Sequence, residues 1–283
     1  MSIVINHLTF AYTEGGKLLE PTLKDLNFTI EEGEFLGIIG HTGSGKSTFV
    51  QHLNGLLPSQ KNTVIVDGHD LSDKAERRKA RELVGMVFQY PEYQLFAETV
   101  REDIAFGPRN MKLSENEINT RVQKAMQLVG LDYDRFASRS PFELSGGERR
   151  RTAIAGVLSM MPKYLVLDEP MAGLDPLGRE EILNLLEKLR SESGCTIIMI
   201  SHSMDDIARH ATKVLVLEKG EVALFDTPQN VFSKAEMLER FGLSVPSVTK
   251  ICVEMNQRGV NIPTTICTED AFLEWIKGVK KHA

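Results

Sequence analysis

The order of apolar and polar positions divides the chain into short extended segments and longer helical ones. Near the N-terminus, Ile3-Val4-Ile5 and Leu26-Asn27-Phe28-Thr29-Ile30 read as strands separated by the turn-forming run Thr13-Glu14-Gly15-Gly16, which predicts an antiparallel edge sheet. Phe35-Leu36-Gly37-Ile38-Ile39 has a different texture. It is apolar at nearly every position, as a strand covered on both faces must be, and a glycine-rich turn and a helical pattern follow it. Val84-Gly85-Met86-Val87-Phe88, Tyr164-Leu165-Val166-Leu167, Thr196-Ile197-Ile198-Met199-Ile200 and Lys213-Val214-Leu215-Val216-Leu217 repeat that texture, with helical stretches between most of them. Buried strands alternating with helices predict a largely parallel α/β sheet.

Two regions depart from the alternation. From Gln89 to about Gly147 the strand pattern disappears and helical periodicity takes over, for example over Glu115 to Leu128, where Ser114 is placed as an N-cap before an acidic first turn. This predicts a helical insert over about 89–147. Gly220-Glu221-Val222-Ala223-Leu224-Phe225 reads as a last hairpin strand, and Thr227-Pro228 opens a helical segment running towards Phe241. Beyond about Leu243 lie two amphipathic stretches, Val248 to Met255 and Ala271 to Val279, joined by Gly259-Val260-Asn261-Ile262-Pro263. The predicted organisation is a main domain over 1–242 and a small appendage over 243–283.

Composition narrows the function classes. A chain of 283 residues, 42% hydrophobic and 25% charged, has enough apolar material for a substantial core. A formal net charge of −6 is unlike that of a protein that coats nucleic acid. Cys195, Cys252 and Cys267 are an odd count with no close pair, the pattern of reduced thiols rather than of a disulfide framework or zinc site. Met1-Ser2-Ile3-Val4 lacks the charged-then-apolar pattern of a secretory signal, and no apolar run approaches bilayer length. A cytosolic chain is expected, with any membrane role supplied by a partner.

Gly40-His41-Thr42-Gly43-Ser44-Gly45-Lys46-Ser47 matches the P-loop pattern and stands between a buried strand and a helix. In such a turn glycines let backbone N–H groups face phosphate oxygens, and the positive end of the helix points at the same anion. Lys46 brings a mobile charge to the β- and γ-phosphates and the Ser47 hydroxyl a ligand for Mg²⁺, with Thr48 next in line at the nucleotide. Leu165-Val166-Leu167-Asp168-Glu169-Pro170 is an apolar strand ending in adjacent carboxylates. By itself such a pair is a solvated turn. Following a P-loop, Asp168 is placed to hold Mg²⁺ through water and Glu169 to act as general base on a water behind the γ-phosphate.

Leu144-Ser145-Gly146-Gly147-Glu148, followed by Arg149-Arg150-Arg151, resembles the signature motif of the ATP-binding cassette (ABC) ATPases. The resemblance implies a P-loop NTPase (RecA-like) parallel-sheet core, an N-terminal antiparallel β subdomain, a helical signature subdomain and the small C-terminal appendage. It also implies ATP and Mg²⁺ as substrate and cofactor, with the helix that Ser145 opens facing an ATP held by a second subunit. By its charge alone the triple arginine reads as a solvated helix face. The remaining family elements occur in order: Tyr12 at the adenine-stacking position, Gln89 at the loop that senses Mg²⁺ and attacking water, Asp175 in Ala172-Gly173-Leu174-Asp175, which resembles the D-loop, and His202 as the switch histidine on the γ-phosphate.

The resemblance extends to one subgroup. Gln89-Tyr90-Pro91-Glu92-Tyr93-Gln94-Leu95-Phe96, Thr99-Val100, Asp103-Ile104-Ala105-Phe106-Gly107-Pro108, Phe142-Glu143 and Ala172-Gly173-Leu174-Asp175-Pro176 are similar to the ATPases of energy-coupling factor (ECF) transporters, importers of vitamins or transition metals. That implies as partners a second ABC ATPase subunit, identical or paralogous, together with an ECF-type transmembrane protein and a substrate-binding membrane protein. It implies no nucleic acid, and a peripheral position on the cytoplasmic face of the cell membrane. The rival class is a soluble ABC ATPase of DNA repair or translation, which usually carries a long coiled-coil insertion or tandem cassettes. Three departures stand out: Glu148 replaces the commoner glutamine, Met171 replaces a small hydroxyl residue, and Gln60-Lys61-Asn62-Thr63 lacks the usual glycine, so Asn62 is expected to take the left-handed conformation.

Overall fold

The computed structural model describes residues 1–280; Lys281, His282 and Ala283, the end of the predicted appendage, lie outside the described residues. The chain forms two compact units, each threaded by several segments: one comprises Met1–Ile5, Thr29–Gly33 and Val50–Met199, the other Asn6–Phe28, Glu34–Phe49 and the chain from Ile200 onward.

In the first unit, Val84–Val87 and Tyr164–Asp168 pair in parallel, Val84 opposite Tyr164 and Val87 opposite Leu167. Both strands are buried at every position, which accounts for their unbroken apolar texture. The edge sheet places Ile3, Val4 and Ile5 antiparallel to Val66, Ile65 and Val64. The strand Val64–Val66 is three residues long, too short to have left a periodic trace in the sequence. The turn before it holds Asn62 at φ +59°, the left-handed conformation expected of it, with its N–H donating to Asp70 Oδ2 at 2.8 Å.

Helices Val100–Asn110, Glu115–Leu128, Tyr133–Phe136 and Gly146–Leu158 fill the region between the strands. Ser114 caps the second of these through a capping box: Glu117 N–H donates to Ser114 Oγ at 3.4 Å, and the Glu117 carboxylate accepts from Ser114 N–H at 3.0 Å. The helix Gly146–Leu158 runs close against the strand Val84–Val87. A Cβ on Gly85 would lie 2.7 Å from Val157 Cγ1 and 2.9 Å from Pro162 Cγ, so only glycine admits this approach.

In the second unit, Phe35–Ile39 is also fully buried and pairs in parallel with Lys213–Glu218, which pairs antiparallel with the last strand, Glu221–Asp226. The two tail stretches form helices Ser247–Gln257 and Glu269–Lys280. Val248, Cys252, Ile262 and Ile266 make a small core there, with Met255, Ala271, Phe272 and Trp275 against it. All three cysteines are buried free thiols, and burial pushes the Cys195 and Cys267 thiols up to about 11.

Gly85→Ala is expected to cost about 1–3 kcal/mol, because neither the β-branched Val157 nor the Pro162 ring can yield cheaply to the added methyl group. Urea unfolding checks this, and an unchanged midpoint would contradict the tight approach.

Candidate functional site

The turn after Phe35–Ile39 is built on glycine for two reasons. Gly43 and Gly45 have φ of +82° and +101°. At Gly40 a Cβ would stand 2.5 Å from both Leu217 O and Ser44 Oγ, so any side chain would fill the turn. Lys46, only 7% exposed, folds its ammonium back over this turn and donates to Gly40 O at 2.7 Å and His41 O at 2.9 Å. Ser44 Oγ is buried without a hydrogen-bond partner. The helix Lys46–Leu53 starts here with no acidic residue in its first turn, so the amides of Lys46, Ser47 and Thr48 present a positive end that no carboxylate of that turn offsets. A glycine cradle, a folded-back ammonium, an orphaned hydroxyl and a helix N-terminus together suit a chain of phosphates. Tyr12, 39% exposed, holds Thr48 Oγ1 through its hydroxyl at 3.1 Å and stands edge-on to Phe10 at 4.9 Å. His41 Nε2 lies 3.2 Å from Glu218. In the same unit, His202 is an exposed residue two positions beyond Ile200, where the strand Thr196–Ile200 ends, and is followed by the Ser203 cap of the helix Met204–His210.

In the first unit, Asp168 ends the strand Tyr164–Asp168 as a buried carboxylate, and Glu169 follows with φ +50°. A non-glycine residue in the left-handed region costs energy and persists where its surroundings over-determine it. Gln89 Nε2 donates to Glu169 Oε2 at 3.0 Å, joining two residues eighty positions apart. Among the described residues no group of three or more His, Cys, Asp or Glu side chains is arranged to hold a metal ion. The expected magnesium set of Ser47, Gln89 and Asp168 has a single carboxylate, and that suits an ion which keeps several waters and takes its other ligands from phosphate. Asp175 caps the helix Pro176–Ser193, accepting from Gly178 N–H at 2.8 Å.

Ser145 caps the helix Gly146–Leu158 in a second capping box: Glu148 N–H donates to Ser145 Oγ at 3.3 Å, and the Glu148 carboxylate accepts from Ser145 N–H and Oγ–H at 2.8 Å each. The Ser145 N–H bond holds the Glu148 carboxyl below its usual range. Glu148 is therefore a functional replacement for glutamine as far as the cap is concerned. Gly146 and Gly147 are unlike the P-loop glycines. Neither has a positive φ, and nothing lies within 4 Å of where a Cβ would stand, so the chain's own packing makes no demand for glycine at either position. Gly147 and Arg151 line an open recess of about 400 Å³ with Gly173, Asp175 and Glu181.

The triple arginine is not the solvated face its charge predicted. Arg150 is 4% exposed and grips Glu92 with both edges of its fork, Nε to Oε2 at 3.0 Å and Nη2 to Oε1 at 2.8 Å. Its Nη1 donates to Pro170 O at 3.3 Å and Ala172 O at 2.8 Å. Arg151 instead pairs with Glu181 at 3.0 Å on a more open surface. The signal available in the sequence was helical spacing, since Arg150 falls on the same stripe as buried Ile154 and Leu158. Burial pushes the Glu92 carboxyl upward, but the Arg150 bonds outweigh it and hold the group below the ordinary 4.5.

The ABC transporter family model matches residues 23–172. The energy-coupling factor transporter ATP-binding protein EcfA2 of Clostridium perfringens (strain 13 / Type A) is 51% identical over 282 residues, spanning 98% of this chain and 99% of the relative. The protein of the same name from Caldanaerobacter subterraneus subsp. tengcongensis is 50% identical over 285 residues, 99% of each chain. Among solved structures, cbiO1 from Clostridium perfringens, part of the ABC transporter complex cbiONQ, matches with a TM-score of 0.73 at 38% identity over 84% of this chain and 93% of its own. The dimeric MJ0796, a bacterial ABC transporter cassette, matches at 0.70 and 32% identity over 80% and 98%.

Because the folded value of Glu92 lies below 4.5, its contribution to stability is present above that pH and is lost as pH falls through the folded value. The wild-type chain is expected to lose more stability between about pH 6 and about pH 3 than Glu92→Gln does, read from urea midpoints; equal losses would contradict the pairing with Arg150.

Proposed function

We propose, from the premise that this chain belongs to the ABC transporter family and within it to the energy-coupling factor transporter ATP-binding proteins, that it binds and hydrolyses ATP as one half of a cassette dimer powering uptake through membrane partners. The observation that carries this reading is the pair of glycine-bordered helix starts, one at Lys46 with no carboxylate in its first turn and one at Gly146 behind the Ser145 and Glu148 cap. One chain supplies one P-loop. A second anion-facing helix start has a use when the ATP it meets is held by another cassette, and the absence of any internal packing reason for Gly146 and Gly147 fits that use.

In this reading Gly40, His41, Thr42, Gly43, Ser44, Gly45, Lys46, Ser47 and Thr48 hold the phosphates and Tyr12 stacks on the adenine. Leu144, Ser145, Gly146, Gly147 and Glu148 close on the ATP of the opposite cassette, with Asp175 beside that junction. Ser47, Gln89 and Asp168 would hold Mg²⁺, which when bound neutralises charge on the β- and γ-phosphate oxygens. Glu169 takes the proton of the attacking water, Gln89 orients Glu169 through their hydrogen bond, and His202 donates to the γ-phosphate oxygens as charge develops. Loss of the γ-phosphate removes the bridge between cassettes and lets them part.

Transport needs a surface for the membrane partner. In the first unit Phe96 and Phe106 are exposed edge-to-face neighbours, 5.0 Å apart, beside an open recess of about 420 Å³ lined also by Arg78, Arg81, Asp103 and Met111. An exposed aromatic pair beside charged groups suits a docking site for an integral membrane subunit. Among the described residues no helix is long and apolar enough to cross a membrane; in this reading the chain is held on the cytoplasmic face of the cell membrane by its membrane partners, as the naming of its relatives as transporter subunits supports. In this scheme the tail helices Ser247–Gln257 and Glu269–Lys280 serve cassette pairing. A repair or translation ATPase is disfavoured, since the longest described helix, Pro176–Ser193, has 18 residues and leaves no coiled-coil arm.

Glu169→Gln should retain ATP affinity while turnover falls about a hundredfold or more, measured as steady-state ATPase activity; a variant that turns over at the wild-type rate removes Glu169 as the base. Lys46→Ala should weaken ATP binding about tenfold or more by calorimetry, because it deletes the ammonium folded over the phosphate turn. Unchanged affinity removes the role given to the turn.

A further inference from the structure

We infer that Arg150 is a positioning residue for hydrolysis: its buried guanidinium locks the segment that carries Gln89 to the segment that carries Glu169, and holds both against the helix that Ser145 opens. The inference rests on the reading of Glu169 as general base and adds to it the group that sets its place.

The contacts form a closed circuit. Gln89 donates to Glu169, and the carbonyls of Pro170 and Ala172, one and three residues beyond Glu169, both accept from Arg150 Nη1. The same guanidinium then takes Glu92 in a two-point grip, and Glu92 lies three residues beyond Gln89, in the 3₁₀ turn Pro91–Gln94. The circuit thus runs from Gln89 to Glu169, on to Arg150 and Glu92, and back to Gln89. Its fixed side is the helix Gly146–Leu158, whose Ile154, Ala155 and Leu158 are buried.

Backbone strain shows what the circuit restrains. Glu169 has φ +50° and Tyr90, between Gln89 and the turn, has φ +53°. Neither is glycine, and left to themselves both would relax out of the left-handed region. Each strained residue lies within three positions of an atom gripped by Arg150. A guanidinium suits this task because its planar fork fixes direction as well as distance; an ammonium keeps the charge and loses the geometry. Burial excludes the water that would otherwise share those bonds. Displacement of the Pro91–Gln94 turn is therefore transmitted to Glu169 through one side chain.

The test compares wild type, Arg150→Lys, Glu92→Gln and the double variant, using the full-length chain in the assembly that purifies with it from membranes. The readouts are kcat and KM for ATP hydrolysis and the urea midpoint. The expected result is a fall in kcat of about tenfold or more in each single variant with KM for ATP changed by less than about twofold, and a double variant no worse than the poorer single, because both changes break the same link. Singles that keep kcat within about twofold of wild type overturn the inference, as do losses of kcat matched by an equal rise in KM; a lowered urea midpoint is expected in either case, because the buried pair with Glu92 is broken. A wild-type assembly that does not hydrolyse ATP refutes the proposed function itself, which separates the two failures.

Discussion

A helix start leaves backbone N–H groups without acceptors, and the whole arrangement of this protein depends on how that deficit is met. At most helix starts the chain meets it internally, with Asp73, Thr99, Ser114, Asp132, Asp175, Ser203 and Thr227 all accepting from the first turn. At Lys46 the first turn carries no acidic residue and is preceded by a turn that only glycine can make. At Gly146 the cap is made, but the two glycines behind it leave the face open. Helices Ala235–Arg240 and Ser247–Gln257 also start without a side-chain cap, so what sets the Lys46 and Gly146 starts apart is the glycine that borders them.

The strained and buried features gather around the same segments. Glu169 and Tyr90 sit at positive φ, Asp168 and Arg150 are buried, and one guanidinium reaches from the signature helix to both loops. A buried arginine is tolerable here because its donors find a carboxylate and two carbonyls. Such a link would let movement at the exposed Phe96 and Phe106 surface reach the residue assigned to activate water, without any need for a flexible core.

The legibility of these features in the sequence followed from how local their causes are. The glycine turn over residues 40–47 was readable because its constraints are steric and act within eight residues, and the Ser114 cap because a capping box spans three. Asn62 at φ +59° followed from the same logic, since asparagine is the commonest substitute for a missing glycine. The role of Arg150 was hidden because its partners lie 58, 20 and 22 positions away, and charge alone gave it to solvent. Strand Val64–Val66 was missed for want of length, and its pairing with Ile3 to Ile5 is a contact no window could contain. The tail helices were visible as amphipathic stretches, but the cluster of Val248, Cys252, Ile262 and Ile266 that folds them together arises from residues whose spacing crosses a loop.

The decisive observation is a structure of the Glu169→Gln chain with MgATP trapped in the closed assembly. The account predicts each γ-phosphate between the Lys46 turn of one cassette and the Ser145 helix start of the other, within hydrogen-bond reach of the Ser145 hydroxyl and the Gly147 amide. A nucleotide bound at the Lys46 turn with every Ser145 helix start facing solvent would contradict it.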